Sequence, residues 1–404
     1  MSDLLADTNV ALGVSGSIAA VTVVELAHEL RRHGASVRAV MTDAATGIVH
    51  PWAVEFATEH DVVTEITGRV EHVELCGRDG WADVLLLAPT TANTVGKIAG
   101  AVDDTPVTTC ATTALGADVP VVCAPAMHEP MYDHPGVLAA IDRVESWGVD
   151  FVDPRIEEGK AKIATEEAIV TATARAAGDR PLAGTRVVVT AGATSESVDD
   201  VRVLTNRSSG RTGRAVARAL AVRGADVTLL HDADAARGPG DAGDVPYADV
   251  VDVESAAEMT DAALAACGDA DALVSAAAIS DYTVASHEGK IRSGEASLTL
   301  ELSPTPKLLD AVREEYPDLA LVGFKAEPGG DDDALAERAR ETLARVDLAF
   351  VVANDVAVMG AADTRALVVR ADSVGAVRGE KLDLGLRVAD ELVAELGDGS
   401  ADDG

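Results

Sequence analysis

The sequence predicts an α/β protein built from two doubly wound, Rossmann-like domains. Short apolar runs alternate with stretches of helical spacing along the whole chain. The alternation breaks once, near 171–182, and then restarts. Each half opens on an apolar run that passes into small residues and then a helix. In the first half this is VALGVSGSIAA at Val10–Ala20. In the second it is RVVVTAGAT at Arg186–Thr194, completed by TNRSSGRTG at Thr205–Gly213. Alternating β and α elements imply a parallel sheet covered on both faces by helices.

In order, Val10–Val14 reads as a strand and Ile18–Arg32 as a helix ended by Gly34. Ser36–Met41, Trp81–Ala88 and Val119–Ala124 read as further buried strands, with helices at Thr91–Ala101 and Val137–Trp147. TATARAAGDRPL at Thr171–Leu182 carries a helix end, Gly178 and Pro181, which places the domain boundary there and gives domains over 1–180 and 181–404. Arg186–Thr190, Asp226–Leu230, Ala270–Ala276, Leu319–Gly323 and Leu348–Ala353 read as strands of the second half, with helices at Gly210–Arg223 and Ala334–Arg345. Asp232–Tyr247, rich in Asp, Ala and Gly, reads as a solvated loop, and Gly397–Gly404 as a frayed acidic tail.

The 404 residues suffice for two full cores, and 48% are hydrophobic, although only 3% are aromatic. A formal charge of −35 argues against nucleic acid or an anionic membrane surface as partner. The acid is dispersed, and 7 Lys stand against 26 Arg. That pattern is expected of a halophilic protein, in which salt screens self-repulsion. Cys76, Cys110, Cys123 and Cys267 form no CxxC pair, so neither a zinc site nor a disulfide framework is expected. No apolar run spans a membrane, and MSDLLADTN has no basic signal-peptide region. A cytoplasmic protein is expected.

Ligands of doubly wound sheets sit at the carboxyl ends of the strands, near the reversal of strand order. Both small-residue loops fall at that edge, where backbone N–H groups and a helix N-terminus attract an anion. The first loop, with Gly13, Ser15, Gly16 and Ser17, is not a full GxGxxG. Its spacing fits a tight strand-to-helix turn as well as a phosphate site. No acidic residue follows at the distance a dinucleotide ribose needs, so a mononucleotide fits better than NAD. APTTANT at Ala88–Thr94 and APAMHEPM at Ala124–Met131 also follow buried strands. His72, in EHVEL, precedes a strand that feeds the same edge. A lone histidine is more often structural, but a neutral imidazole there takes a proton near pH 7.

GSIAA, EHVEL, WADVLLLAPTTANT and PAMHEPM, in this order, resemble the flavin-dependent cysteine decarboxylases that bind FMN. TAGATSESVDDVRVLTNRSSGRTG, SAAAISDY, GKIR, VGFKAE and ANDV resemble phosphopantothenate–cysteine ligase. Together they cover nearly the whole chain in the order of the bifunctional enzymes of coenzyme A biosynthesis: a flavodoxin-like flavoprotein domain, then a ligase domain.

The resemblance implies that the first domain holds the FMN phosphate on Gly16, Ser17 and Ile18, with Thr42, Thr90 and Thr91 nearby. The flavin oxidises the cysteine thiol of 4′-phosphopantothenoylcysteine, CO₂ leaves from the thioaldehyde, and the reduced flavin returns the electrons. His72 matches the family's active-site histidine, the candidate base. Two positions depart from the family pattern. His128 stands where the family has the Asn that holds the substrate carboxylate. The flap EEGKAKIATE at Glu157–Glu166 lacks the family's proton-donating Cys. There Lys160 or Lys162 supplies the proton or holds the substrate phosphate, or else both are solvated flap residues.

For the second domain the resemblance implies an acyl-nucleotide formed from 4′-phosphopantothenate and CTP or ATP with Mg²⁺, then attack by the amine of cysteine. Asn206 matches the residue that steadies the acyl intermediate, and Lys290 the catalytic lysine. Ser208, Ser209 and Gly210 form the anion loop, and Arg202 lies on its approach. Asp281, Phe324 and the segment Pro306, Lys307, Leu308 and Leu309 match nucleotide contacts. Arg338 and Arg345 stand in for lysines of the family. No protein metal cage is expected. The partners implied are small-molecule substrates and further copies of the chain in a trimer-based homo-oligomer, with FMN at a subunit interface. Two alternatives remain at this point: a ligase whose flavin domain is a non-catalytic scaffold, and an NAD-type redox or binding protein.

Overall fold

The computed structural model describes residues 3–157, 159–232, 245–292, 297–327, 331–355 and 363–399. The chain divides into two compact units, one over Asp3–Asp179 and one from Arg180 onward. The first unit is a five-stranded parallel sheet in the order Ser36–Met41, Asn9–Val14, Val84–Thr90, Val121–Pro125, Asp150–Phe151. Numbered along the chain this is 2-1-3-4-5, the flavodoxin-like order, and its switch point lies between the first and third strands. Leu85, Leu86 and Leu87 are wholly buried, as both-face coverage of a central parallel strand requires. Each such side chain contributes roughly 1.5–3 kcal/mol of burial.

The helix expected over Ile18–Arg32 begins as a 3₁₀ turn, Ile18–Thr22, and becomes α-helical at Val23–Arg32. The strand expected at Trp81–Ala88 runs instead over Val84–Thr90, and His72 lies on a short helix, Glu71–Cys76. A three-stranded antiparallel flap joins Met127–His128, Lys160–Lys162 and Arg155–Glu157.

The second unit holds an eight-stranded sheet in the order Asp249–Val253, Asp226–Asp232, Arg186–Ala191, Ala272–Ser275, Ala320–Glu327, Phe350–Asp355, Asp363–Val369, Val374–Glu380. In chain order this is 3-2-1-4-5-6 extended by two strands. The first six are parallel, and the last two pair antiparallel. The switch point lies between Arg186–Ala191 and Ala272–Ser275. Thr190 pins it: its hydroxyl accepts the Ala277 N–H at 3.1 Å and its carbonyl the Ala276 N–H at 3.2 Å. Most of the loop expected at Asp232–Tyr247 lies outside the described residues. Gly397–Gly399 belong to the helix Lys381–Gly399 rather than to a frayed tail, and 400–404 lie outside the described residues.

Candidate functional site

In the first unit a cavity of about 640 Å³ opens at the switch point, within the roughly 300–1,000 Å³ usual for small-molecule sites. The loop after the first strand lines it with Gly16, Ser17, Ile18 and Ala19. A Cβ on Gly16 would lie 2.5 Å from the Ala44 Cβ, so only glycine lets the loop pack there. Ser17 caps the 3₁₀ turn and donates its hydroxyl to the Ala126 carbonyl at 3.2 Å. Ser15, beneath, accepts the Thr91 N–H at 3.1 Å and donates to the Pro89 carbonyl, riveting the loop to the third strand. Thr91 caps the helix Ala92–Ala99 and lines the cavity.

The flap supplies the opposite wall with His128, Arg155, Lys160 and Lys162. His128 pairs with Lys160 across the ladder, and Lys162 is bound to Glu157 at 2.8 Å. Met127, Met131 and Ile163 make much of the remaining lining apolar. Arg155 was missed in the sequence, where nothing separates it from other charged surface residues. Thr90 is corrected as a cofactor contact: it is wholly buried and spends its hydroxyl on the Leu87 carbonyl at 2.6 Å. Thr42 is also buried, capping the helix Asp43–Thr46, and does not line the cavity. Neither does His72, whose Nδ1 is buried with no hydrogen-bond partner among the described residues. None of the four cysteines lines it either; all are buried, and burial pushes the Cys123 thiol up to about 12.

In the second unit a cavity of about 470 Å³ occupies the corresponding switch point. Ser208, Ser209 and Gly210 line it, as do Asp281 and Phe324. Gly210, at φ +71°, leads into the helix Arg211–Val222, and a Cβ there would lie 2.5 Å from His231 Nε2. His231 is wholly buried under this loop. Burial lowers its imidazole below the ordinary value, opposed by the bond from Nδ1 to the Asp232 carbonyl at 2.8 Å. Nδ1 is therefore the protonated nitrogen, and Nε2 carries a lone pair.

This lining is basic. Arg207, Arg211, Lys325 and Lys381 all contribute, and none was singled out from the sequence. Lys325 was legible as the one cation in the strand motif VGFKAE; it donates to Thr342 Oγ1 and the Arg338 carbonyl, both at 3.1 Å. Lys381 lies 169 residues from Thr212, to which it donates at 3.5 Å, so no local signal marks it. Burial lowers the Lys381 amine, and Arg211 lowers it further.

Six expected cofactor contacts, Pro306, Lys307, Leu308, Leu309, Arg338 and Arg345, are corrected, since none lines the cavity. Leu308 sits in the hydrophobic core with 3% exposure, and Leu309 packs against that core. Arg345 does not line the cavity; its guanidinium binds Asp310 at 2.7 Å, while Thr342, one turn earlier, faces the site. Arg338 contributes its carbonyl to Lys325 and is not a lining residue. Pro306 and Lys307 are exposed outside the lining, with Lys307 paired to Asp281. Asn206 is exposed beside the cavity and donates to the Ala278 carbonyl at 3.0 Å, and Lys290 is exposed on a separate loop. Among the described residues no group of His, Cys, Asp and Glu is placed to hold a metal ion, and no helix is long and apolar enough to cross a membrane.

Residues 2–178 match the Flavoprotein family model, and residues 182–396 match the DNA/pantothenate metabolism flavoprotein C-terminal domain. The coenzyme A biosynthesis bifunctional protein CoaBC of Thermococcus kodakarensis is 45% identical over 395 residues, covering 96% of this chain and 95% of that protein. Its counterpart from Methanocaldococcus jannaschii is 37% identical, covering 88% and 85%. That from Bacillus subtilis is 34% identical, covering 89% and 88%. The chain belongs to the family of bifunctional coenzyme A biosynthesis proteins, and it is a bifunctional enzyme of that biosynthesis.

Proposed function

We propose that the second unit ligates cysteine to 4′-phosphopantothenate at the expense of CTP or ATP, and that the first decarboxylates the product to 4′-phosphopantetheine. The observation that carries this reading is the contrast between two cavities at matching switch points, one largely apolar under a flap and one ringed by Arg and Lys.

FMN fits the first cavity: the small residues Gly16, Ser17 and Ala19 at the start of the 3₁₀ turn suit a phosphate, and the apolar wall suits a planar ring. When bound, FMN supplies the two-electron oxidation of the thiol and the return of the electrons after CO₂ has left. The chain's own residues position and protonate. Gly16, Ser17 and Ile18 hold the phosphate and Thr91 orients the cofactor. His128 donates a hydrogen bond to the substrate carboxylate, and the Lys160 ammonium supplies a proton or holds the substrate phosphate. His72 does not line the cavity of its own chain, so its role as base requires a neighbouring copy, with FMN at a subunit interface of a trimer-based oligomer.

In the second cavity Ser208, Ser209 and Gly210 take a phosphate, Arg207, Arg211, Lys325 and Lys381 offset its charge, and Asp281 and Phe324 contact the nucleoside. Lys290 stabilises charge developing at the α-phosphate, and Asn206 holds the acyl intermediate. Mg²⁺ arrives on the phosphate oxygens. The acidic, Lys-poor surface suits a cytoplasm of high salt.

A ligase-only reading has one observation in its favour: the flap lacks a thiol, and the four cysteines are buried elsewhere. The two readings separate when 4′-phosphopantothenoylcysteine is given to the FMN-loaded enzyme. CO₂ release supports decarboxylation, and its absence with an intact flavin spectrum supports the scaffold reading.

A further inference from the structure

Asp199 is a carboxylate with no exposed side-chain surface, outside the lining of either cavity. It sits at the tip of a short hairpin whose strands are Ser195–Ser197 and Val203–Thr205. The second strand of that hairpin runs directly into Asn206 and the anion loop. The two carboxylate oxygens have different partners. Oδ1 accepts the N–H groups of Val201 at 2.9 Å and Arg202 at 2.8 Å, closing the turn of its own hairpin. Oδ2 reaches 92 residues along the chain to accept the Ile291 N–H at 3.0 Å, and meets the Arg202 guanidinium at 3.1 Å. Arg202 in turn donates to the Ile291 carbonyl at 2.9 Å. Ile291 follows Lys290. The clasp is extended by the His287 N–H, which donates to the Val198 carbonyl at 3.0 Å.

Burial alone would raise the Asp199 carboxyl. The three backbone N–H groups and Arg202 outweigh it and hold the carboxyl below its ordinary value, so it is ionised and accepts on both oxygens. We propose that Asp199, with Arg202, is a positioning residue of the ligase reaction: it fixes the loop bearing Lys290 to the hairpin that ends in Asn206. An exposed lysine on an untethered loop would spend its charge over many positions. A tethered one is held where charge develops, and displacement by about 1 Å costs up to roughly hundredfold in rate. This inference rests on the proposed role of Lys290.

Asp199→Asn separates the two oxygens. An asparagine keeps one acceptor for the Val201 and Arg202 N–H groups but turns an NH₂ toward the Ile291 N–H and the guanidinium, setting donor against donor. The expected result is a fall in kcat for pyrophosphate release of roughly tenfold to hundredfold, with nucleotide KM within about twofold. Flavin content should stay unchanged, and hydrogen exchange at the Ile291 amide should accelerate. Arg202→Met, which leaves the carboxylate its three N–H donors, guards against a folding defect and should also lower kcat. Wild-type kcat in both variants, while Lys290→Gln abolishes pyrophosphate release, overturns the clasp. Full activity in Lys290→Gln overturns the reading beneath it instead.

Discussion

The two cavities occupy equivalent places in their sheets and differ in what lines them. In the first unit the loop Gly16–Ala19 meets an apolar wall, and its cations, Arg155, Lys160 and Lys162, are borne on a flap. In the second unit Arg207, Arg211, Lys325 and Lys381 come from the loop, a helix start, a central strand and the final helix. The switch point fixes where a ligand sits, and the side chains around it decide which ligand it suits: an apolar wall suits a planar ring and a ring of cations suits a polyanion.

The largest effect expected from breaking this contrast is Lys290→Gln. Removing a positioned charge from a developing phosphate oxyanion lowers pyrophosphate release by at least about hundredfold, with the flavin spectrum untouched. Gly213→Val acts on one side as well. A Cβ at Gly213 would lie 2.5 Å from the Ala191 Cβ, so the helix must move at a cost of about 1–3 kcal/mol. Loss of nucleotide binding with flavin retained in the same preparation checks it. Its counterpart in the first unit is Ser15→Ala, which leaves the Thr91 N–H without its acceptor at a cost of about 1–3 kcal/mol. Faster flavin loss on dialysis, with unchanged pyrophosphate release, is the expected outcome.

Lys381→Met should raise nucleotide KM roughly tenfold. In the wild type that KM should climb with pH earlier than an ordinary lysine would allow, because the lowered amine loses its charge sooner. The smallest effect concerns His231. Its folded value is lowered by burial, so the unfolded chain binds the extra proton. Stability is therefore lost as pH falls below the ordinary histidine value of about 6.5. His231→Asn should flatten that slope in thermal melts.

The parallel cores were legible in the sequence because both-face burial leaves apolar runs such as Val84–Leu87. The hairpin Asp363–Val369 and Val374–Glu380 was not read, since its last strand alternates exposed and half-buried residues and carries charge. For the sites, motifs that follow a strand directly led to the lining, as with Gly16, Ser17, Thr91 and Ser208–Gly210. Spacing alone failed on the helix Asp332–Val346, where Arg345 turned out to be paired with Asp310 and Thr342 faces the cavity. Lys381 and Asp199 act on segments 169 and 92 residues away, and no window along the chain contains such a pairing.

The most direct test starts from 4′-phosphopantothenate, cysteine and Mg²⁺ with CTP or ATP, and measures pyrophosphate and CO₂ in one vessel with the FMN-loaded protein. Equal final yields of the two products are expected. Pyrophosphate without CO₂ would contradict a catalytic first unit, and neither product with either nucleotide would contradict the assignment of both cavities.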